Sequence, residues 1–232
     1  MIDAKHSAVL ADCIVVGHGR CPATEITRLL RAEHRYSSDA GGWYAAADED
    51  GRTSRALLYV AGDVGGIAGA AAAAIHGTLA GLACASDLCG SDPQRLRRRI
   101  EFVRGKYRRA ARFGRAVGKL MALRPAHAHG IGPETIVCRC EDVTRSEIDA
   151  ACDAGARDMN QLKAWTRCGM GACQGRNCSD IAGELLMRRA GAAAREEVGY
   201  FTARAPLRPV TVAALTGNFR YQDIAIPNAA PP

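Results

Sequence analysis

Aromatic side chains are scarce in this chain, at 5% of residues, although 48% are hydrophobic. Alanine supplies much of the apolar share, so close helix packing is expected rather than pockets walled by rings. Long unbroken apolar runs are missing too. The most apolar stretch, residues 56–85, is interrupted by Asp63 and His76 and is rich in glycine, so no transmembrane segment is expected. No secretory leader is read, and ten cysteines without one point to a reducing compartment, by default the cytoplasm. The chain shows no acid–base or nucleophilic constellation for substrate chemistry, and no catalytic residue is assigned.

Charge of one sign is missing from one region only. Residues 95–124 hold twelve Lys or Arg against a single acid, Glu101, leaving the rest of the chain mildly acidic within a net charge of +7. A general nucleic-acid-binding surface is not indicated by that distribution. The same residues read as one long basic helix from Pro93 to Leu123, taken first as a solvated spacer and second as a docking face for an acidic partner.

The 232 residues allow one or two domains. Residues 9–17 read as a buried strand ending in glycine, followed by a helix from Thr24 to Glu33. Gly17-x-Gly19 after a strand suggests a dinucleotide fingerprint, but Pro22 stands where the third glycine belongs, which argues against such a site. Asp50-Gly51 predicts a tight turn between two short strands, the second over Leu57–Ala61. Gly62-Asp63 ends it, and a helix of small residues follows. Glycines at its start expose amides suited to an anionic or polar ligand, with Asp63 as an acceptor for ligand hydroxyls or simply a helix cap. Pro125–Pro133 reads as a linker whose His127 and His129 are solvated. Thr144 to Glu147 is a capping box opening a helix that ends at Gly155. Asp158 caps a second helix through Trp165, and Ser179 opens a third. Beyond Ala190 the chain reads as a proline-punctuated, extended tail.

Four cysteines carry the chemistry. Cys138 and Cys140 form C-x-C; after 32 residues Cys173 and Cys178 form C-x4-C, flanked by Gly171 and Gly175. Two close thiolate pairs give a two-iron cluster two sulfur ligands per iron, and glycines let backbone amides approach the sulfides. We read a [2Fe–2S] site with these four ligands. A four-cysteine zinc site would use the same residues, but its usual spacing is C-x2–4-C in each half, and C-x-C narrows the bite. Cys168 and Cys173 also make C-x4-C; the Cys173/Cys178 pair is preferred, with Cys168 adjacent and not ligating.

The segment C-R-C-E-D-V-T through T-R-C-G-M-G-A-C-Q-G-R-N-C resembles the [2Fe–2S] domain related to bacterioferritin-associated ferredoxin, in the version fused to FAD-dependent dehydrogenases. L-L-Y-V-A-G-D-V-G-G-I-A-G-A, residues 57–70, resembles the second FAD motif of the pyridine nucleotide-disulfide oxidoreductase fold, in which the aspartate, here Asp63, contacts the ribityl chain. V-G-H-G-R-C-P-A-T-E, residues 16–25, is similar to the return from the NAD(P) to the FAD domain. Together with R-P-V-T-V-A-A-L, the order is similar to the FAD/iron–sulfur subunits of opine oxidases, hydrogen cyanide synthase and heteromeric proline or hydroxyproline dehydrogenases. The glycine-rich FAD fingerprint that opens this family is not in the sequence, so the resemblance implies one half of a flavin site, at Gly62, Asp63, Gly65 and Gly66.

The resemblance implies an α+β architecture: residues 1–90 as the C-terminal part of an FAD/NAD(P)-binding domain, 91–133 as a helical linker, 134–190 as the [2Fe–2S] domain, 191–232 as the tail. It implies an electron-transfer subunit of an oxidoreductase acting on C–N bonds, not active alone, with FAD and a [2Fe–2S] cluster as cofactors. Its partner would be an FAD-dependent amino-acid or opine oxidase-like catalytic subunit. A ferredoxin-like binding module for iron mobilisation or cluster delivery, or a truncated, non-functional fragment, is the alternative.

Overall fold

The structure, a computed structural model, describes residues 10–13, 15, 19–89 and 93–217. The strand expected over 9–17 falls partly outside them; residues 10–13 and 15 form no strand, with Leu10 and Val15 fully open to solvent. The sheets among the described residues are two-stranded, and residues 10–13 and 15 belong to neither.

The first helix among the described residues is α1 (Glu25–Leu29), shorter than the expected helix because Leu30 caps it and Arg31 adopts a left-handed φ of 56°. That reversal feeds a hairpin, β1 (His34–Ser37) and β2 (Gly42–Ala45), joined by a 3-10 turn at Ser38–Ala40. His34 faces Ala45 and Ser37 faces Gly42 in antiparallel register. Asp48 accepts from the Asp50 and Arg52 amides at 2.9 Å each and bends the chain there. The strands expected around this turn shrink to isolated bridges, Ala47 with Thr53 and Arg52 with Tyr59. Residues 43–45 are already paired with β1, so the Leu57–Ala61 segment has no full strand to join.

A 3-10 turn at Gly62–Gly65 leads to α2 (Ala70–Cys89) and α3 (Pro93–Met121). α2 starts at Ala70, later than its composition suggests, because Gly62, Gly66 and Gly69 have positive φ, which a right-handed helix excludes. Along α3, Leu96, Ile100, Val103, Tyr107 and Ala111 recur every three or four residues and meet Ile75, Leu79 and Leu82 of α2 and Ala68 and Ala72 near its start. Gly114 lets the Ala68 backbone press against α3; a methyl group there would run into the Ala68 carbonyl. Arg104 donates to Asp50 at 2.8 Å, and Arg108 pairs with Glu49, pinning α3 to the turn. α3 is therefore a packed element of the fold rather than a free spacer. By length and composition α2 could cross a membrane; 28% of that stretch is buried, and its fully buried Leu79 packs against α3.

The remaining chain builds a second core. α4 (Pro125–His129) occupies the expected linker and is followed by β3 (Ile136–Cys138) and β4 (Val143–Thr144). Then come α5 (Arg145–Asp153), α6 (Met159–Thr166), α7 (Ser179–Ala190), α8 (Arg195–Val198) and α9 (Val212–Thr216). The Thr144–Glu147 capping box forms with both reciprocal bonds, and the Asp158 carboxylate accepts from the Asn160 and Gln161 amides. Ile148 and Cys152 on α5, Met159 and Leu162 on α6, and Leu185 and Leu186 on α7 bury together, closed by Val198 and Phe201 from the following segment. The whole is a mixed fold, mostly helical with two small hairpins.

Candidate functional site

The cysteines converge at one edge of this second core. Cys138 ends β3, Cys140 follows in the turn to β4, Cys168 comes just after α6, Cys173 lies in the loop before α7, and Cys178 caps α7. Cys138, Cys168 and Cys178 are buried, and their sulfurs lie within 4.8 Å of one another. The Cys168 and Cys178 sulfurs are 3.8 Å apart. Cys140 and Cys173 contact each other on the more open side. The predicted cysteines thus fall into two contacts: Cys138 and Cys178 together with Cys168 in the core, and Cys140 with Cys173 on the open side.

Backbone amides are aimed at the sulfurs. Gly169 donates to Cys138 Sγ at 3.5 Å. Burial works to raise the Cys173 thiol, but the amides of Asn177, Gly175 and Arg176 and the Cys140 thiol outweigh it and bring it below the ordinary cysteine value. Cys178 is pushed well up by its hydrogen bond to Cys168 and by burial. At Gly171 a methyl group would collide with the Cys140 Cβ, so the loop closes on Cys140 only with glycine there. Sulfur donors backed by main-chain N–H groups are the donor set a two-iron cluster takes, and these residues fit it.

The A-G-D turn lies apart from the cysteines, before α2. The Asp63 carboxylate accepts from the Ala68 amide at 3.3 Å, and Gly62 N–H donates to His76 Nδ1 at 3.0 Å. Gly65 and Gly66 border a cavity of about 280 Å³ with Tyr44, Tyr107, Arg115 and Lys119. The polar groups of the turn thus bond one another, and the space beside it is at the small end for an organic ligand. The described residues alone do not enclose a flavin.

Two features escape sequence reading. His129 is only partly exposed: its Nε2 lies 3.3 Å from the buried Glu184 carboxylate of α7, 55 residues away, and spacing carries no trace of that. His127 is exposed. Between the β1–β2 hairpin and the cysteine loop lies a cavity of about 370 Å³, bordered by Arg28, Lys163, Arg167, Arg176 and Arg204 against Glu25 and Asp180. Arg28 is held below its ordinary value by burial. The segment after α8 closes this face: Gln174 donates to the Pro206 carbonyl at 3.0 Å and Arg176 to that of Leu207 at 3.2 Å.

Residues 133–218, which contain the cysteine centre, match the sarcosine oxidase A3 domain family. The chain is 35% identical over 208 residues to an opine oxidase subunit of Agrobacterium tumefaciens (strain Ach5), covering 90% of this chain and 41% of that protein. It is 34% identical over 212 residues to hydrogen cyanide synthase subunit HcnB of Pseudomonas protegens, covering 91% and 44%. The crystal structure of L-proline dehydrogenase from P. horikoshii superposes with a TM-score of 0.67 at 24% identity, over 85% of this chain and 37% of that one, and shares the fold. The chain spans less than half the length of each of these proteins. Over about nine tenths of its length the chain is similar to this opine oxidase component and to hydrogen cyanide synthase subunit HcnB.

Proposed function

We propose that this chain is the electron-transfer part of a heteromeric flavin-dependent dehydrogenase oxidising a C–N bond of an amino acid or opine. The observation that supports it is that thiols far apart in sequence come into contact, Cys138 with Cys178 in the core and Cys140 with Cys173 on the open side, with the Gly169 N–H aimed at Cys138. A two-iron cluster held by these four sulfurs supplies one-electron transfer. The chain's own residues do the rest. Cys138 and Cys178 are set in the core, where low polarity and the Gly169 N–H tune the site. Cys140 and Cys173 face outward, giving the short path to a redox partner. The cations at the neighbouring cavity favour an acidic acceptor surface or anionic acceptor.

In this reading substrate oxidation belongs to a separate flavoprotein subunit, and FAD at Gly62, Asp63, Gly65 and Gly66 is completed by residues that this sequence does not contain. Residues 134–190 are the cluster domain, its core completed by Val198 and Phe201 from the segment 191–232, and 91–133 connect it to the flavin-type segment 1–90. The test is anaerobic purification, followed by iron and acid-labile sulfide analysis and by visible and electron paramagnetic resonance spectra before and after dithionite. Two irons and two sulfides per chain, with a signal only on reduction, are expected. A chain that takes up neither iron nor sulfide on reconstitution sinks the proposal.

A further inference from the structure

Cys168 has no place among the four cluster ligands, yet it is fully buried and its sulfur lies 3.8 Å from that of Cys178. With Cys138 it completes a trio whose sulfurs are all within 4.8 Å of one another. A Zn–S bond of about 2.3 Å sets the edge of a tetrahedral thiolate site at about 3.8 Å, the Cys168–Cys178 separation. A buried group of three sulfurs within 4.8 Å of one another, one pair of them at that edge length, suits a soft ion and excludes hard, oxygen-preferring ones.

We propose that Cys138, Cys168 and Cys178 form a site for a single soft d10 metal ion, distinct in its ligand set from the two-iron site. The ion takes three thiolates and leaves a fourth position toward the Cys173 side of the pocket. Cys168 belongs to this site alone, whereas Cys138 and Cys178 are shared with the cluster. Ion and cluster are therefore mutually exclusive, and binding the ion holds the chain in a redox-silent state. Three protons leave the thiols as the ion binds, and no electrons move.

The experiment titrates Cd(II) into the full metal-free chain under anaerobic conditions and follows the sulfur-to-cadmium absorption band. One ion per chain is expected, with the band strength of three thiolates, and loaded protein should refuse iron and sulfide until the cadmium is removed. Cys168→Ser should weaken Cd(II) by more than the roughly 10–100-fold that losing a mere supporting partner costs. The same variant should still take up iron and sulfide. Cys140→Ser should leave the cadmium affinity unchanged. Wild-type affinity and band strength in Cys168→Ser would overturn the proposal. So would an equal loss in Cys140→Ser, which would put the ion in the four-cysteine set; that variant also decides the matter if Cys168→Ser does not fold. A chain that binds Cd(II) as expected but never accepts iron and sulfide would sink the electron-transfer reading and leave this one standing.

Discussion

The guanidinium of Arg195 lies over the ring of Tyr36, its central carbon 4.7 Å from the ring centre. It joins the first hairpin to the cysteine-bearing core. On its other side Arg195 donates to the Asp180 carbonyl at 2.9 Å and to that of Ser179 at 3.4 Å, in the first turn of α7. Tyr36 N–H donates to Glu196 at 3.1 Å, and Glu25 pairs with Arg176 at 2.6 Å. The A-G-D half and the cysteine half are thereby held as neighbours through polar and aromatic contacts.

Replacing Arg195 by Met should loosen that joint. The variant keeps the apolar bulk but leaves buried polar groups without a donor, and a loss of about 1–3 kcal/mol is expected in urea unfolding. Arg195→Lys should not restore it, because one ammonium cannot bridge two carbonyls while lying flat on the Tyr36 ring.

Gly171→Ala should lower iron and sulfide content, since the added methyl group meets the Cys140 Cβ. Gly132→Ala, where the nearest neighbour is Thr135 Oγ1 at 3.7 Å, should leave both unchanged. Equal metal content in the two variants would remove Gly171 from the site.

His76 gives the A-G-D turn a pH dependence. Burial holds its imidazole below the ordinary value of 6.5, and accepting from Gly62 N–H requires the neutral ring, which also stacks on Tyr107. The unfolded chain binds the proton more readily, so stability is complete above pH 6.5 and falls as the pH drops through and below that value. Thermal melting between pH 7 and pH 5 should show the decline in wild type and a flatter profile in His76→Leu. That variant should be less stable at pH 7 by about 1–3 kcal/mol, because Gly62 N–H loses its acceptor.

Thr144→Ala removes one side of the capping box that starts α5. A loss of about 1 kcal/mol is expected. Because Thr144 lies in β4, paired with the strand that carries Cys138, iron retention during chelator challenge should fall along with stability.

Local signals are legible wherever a few neighbouring residues decide the outcome. The capping box, the Asp158 cap, the basic helix from Pro93 and the C-x-C and C-x4-C pairs need only near neighbours to act. Features that depend on distant partners are not. The first hairpin forms in place of strands around Asp50 because residues 43–45 have two possible partners and β1 takes them. Likewise, His129 reads as solvated in the sequence because nothing near it announces Glu184.

The amino-acid sequence by itself determined the spacing of the thiols, the glycines that let the loop close and the placement of helix starts, since these are set by chain geometry over a few residues. Only the tertiary structure decided which sulfurs are buried together. Cys168 is spaced to pair with Cys173, yet the left-handed turn at Arg167 and the packing of α6 on α7 carry it inward, beside Cys178. Sulfur-to-sulfur distance is a property of packed helices, and packing joins residues whose separation along the chain carries no record of it.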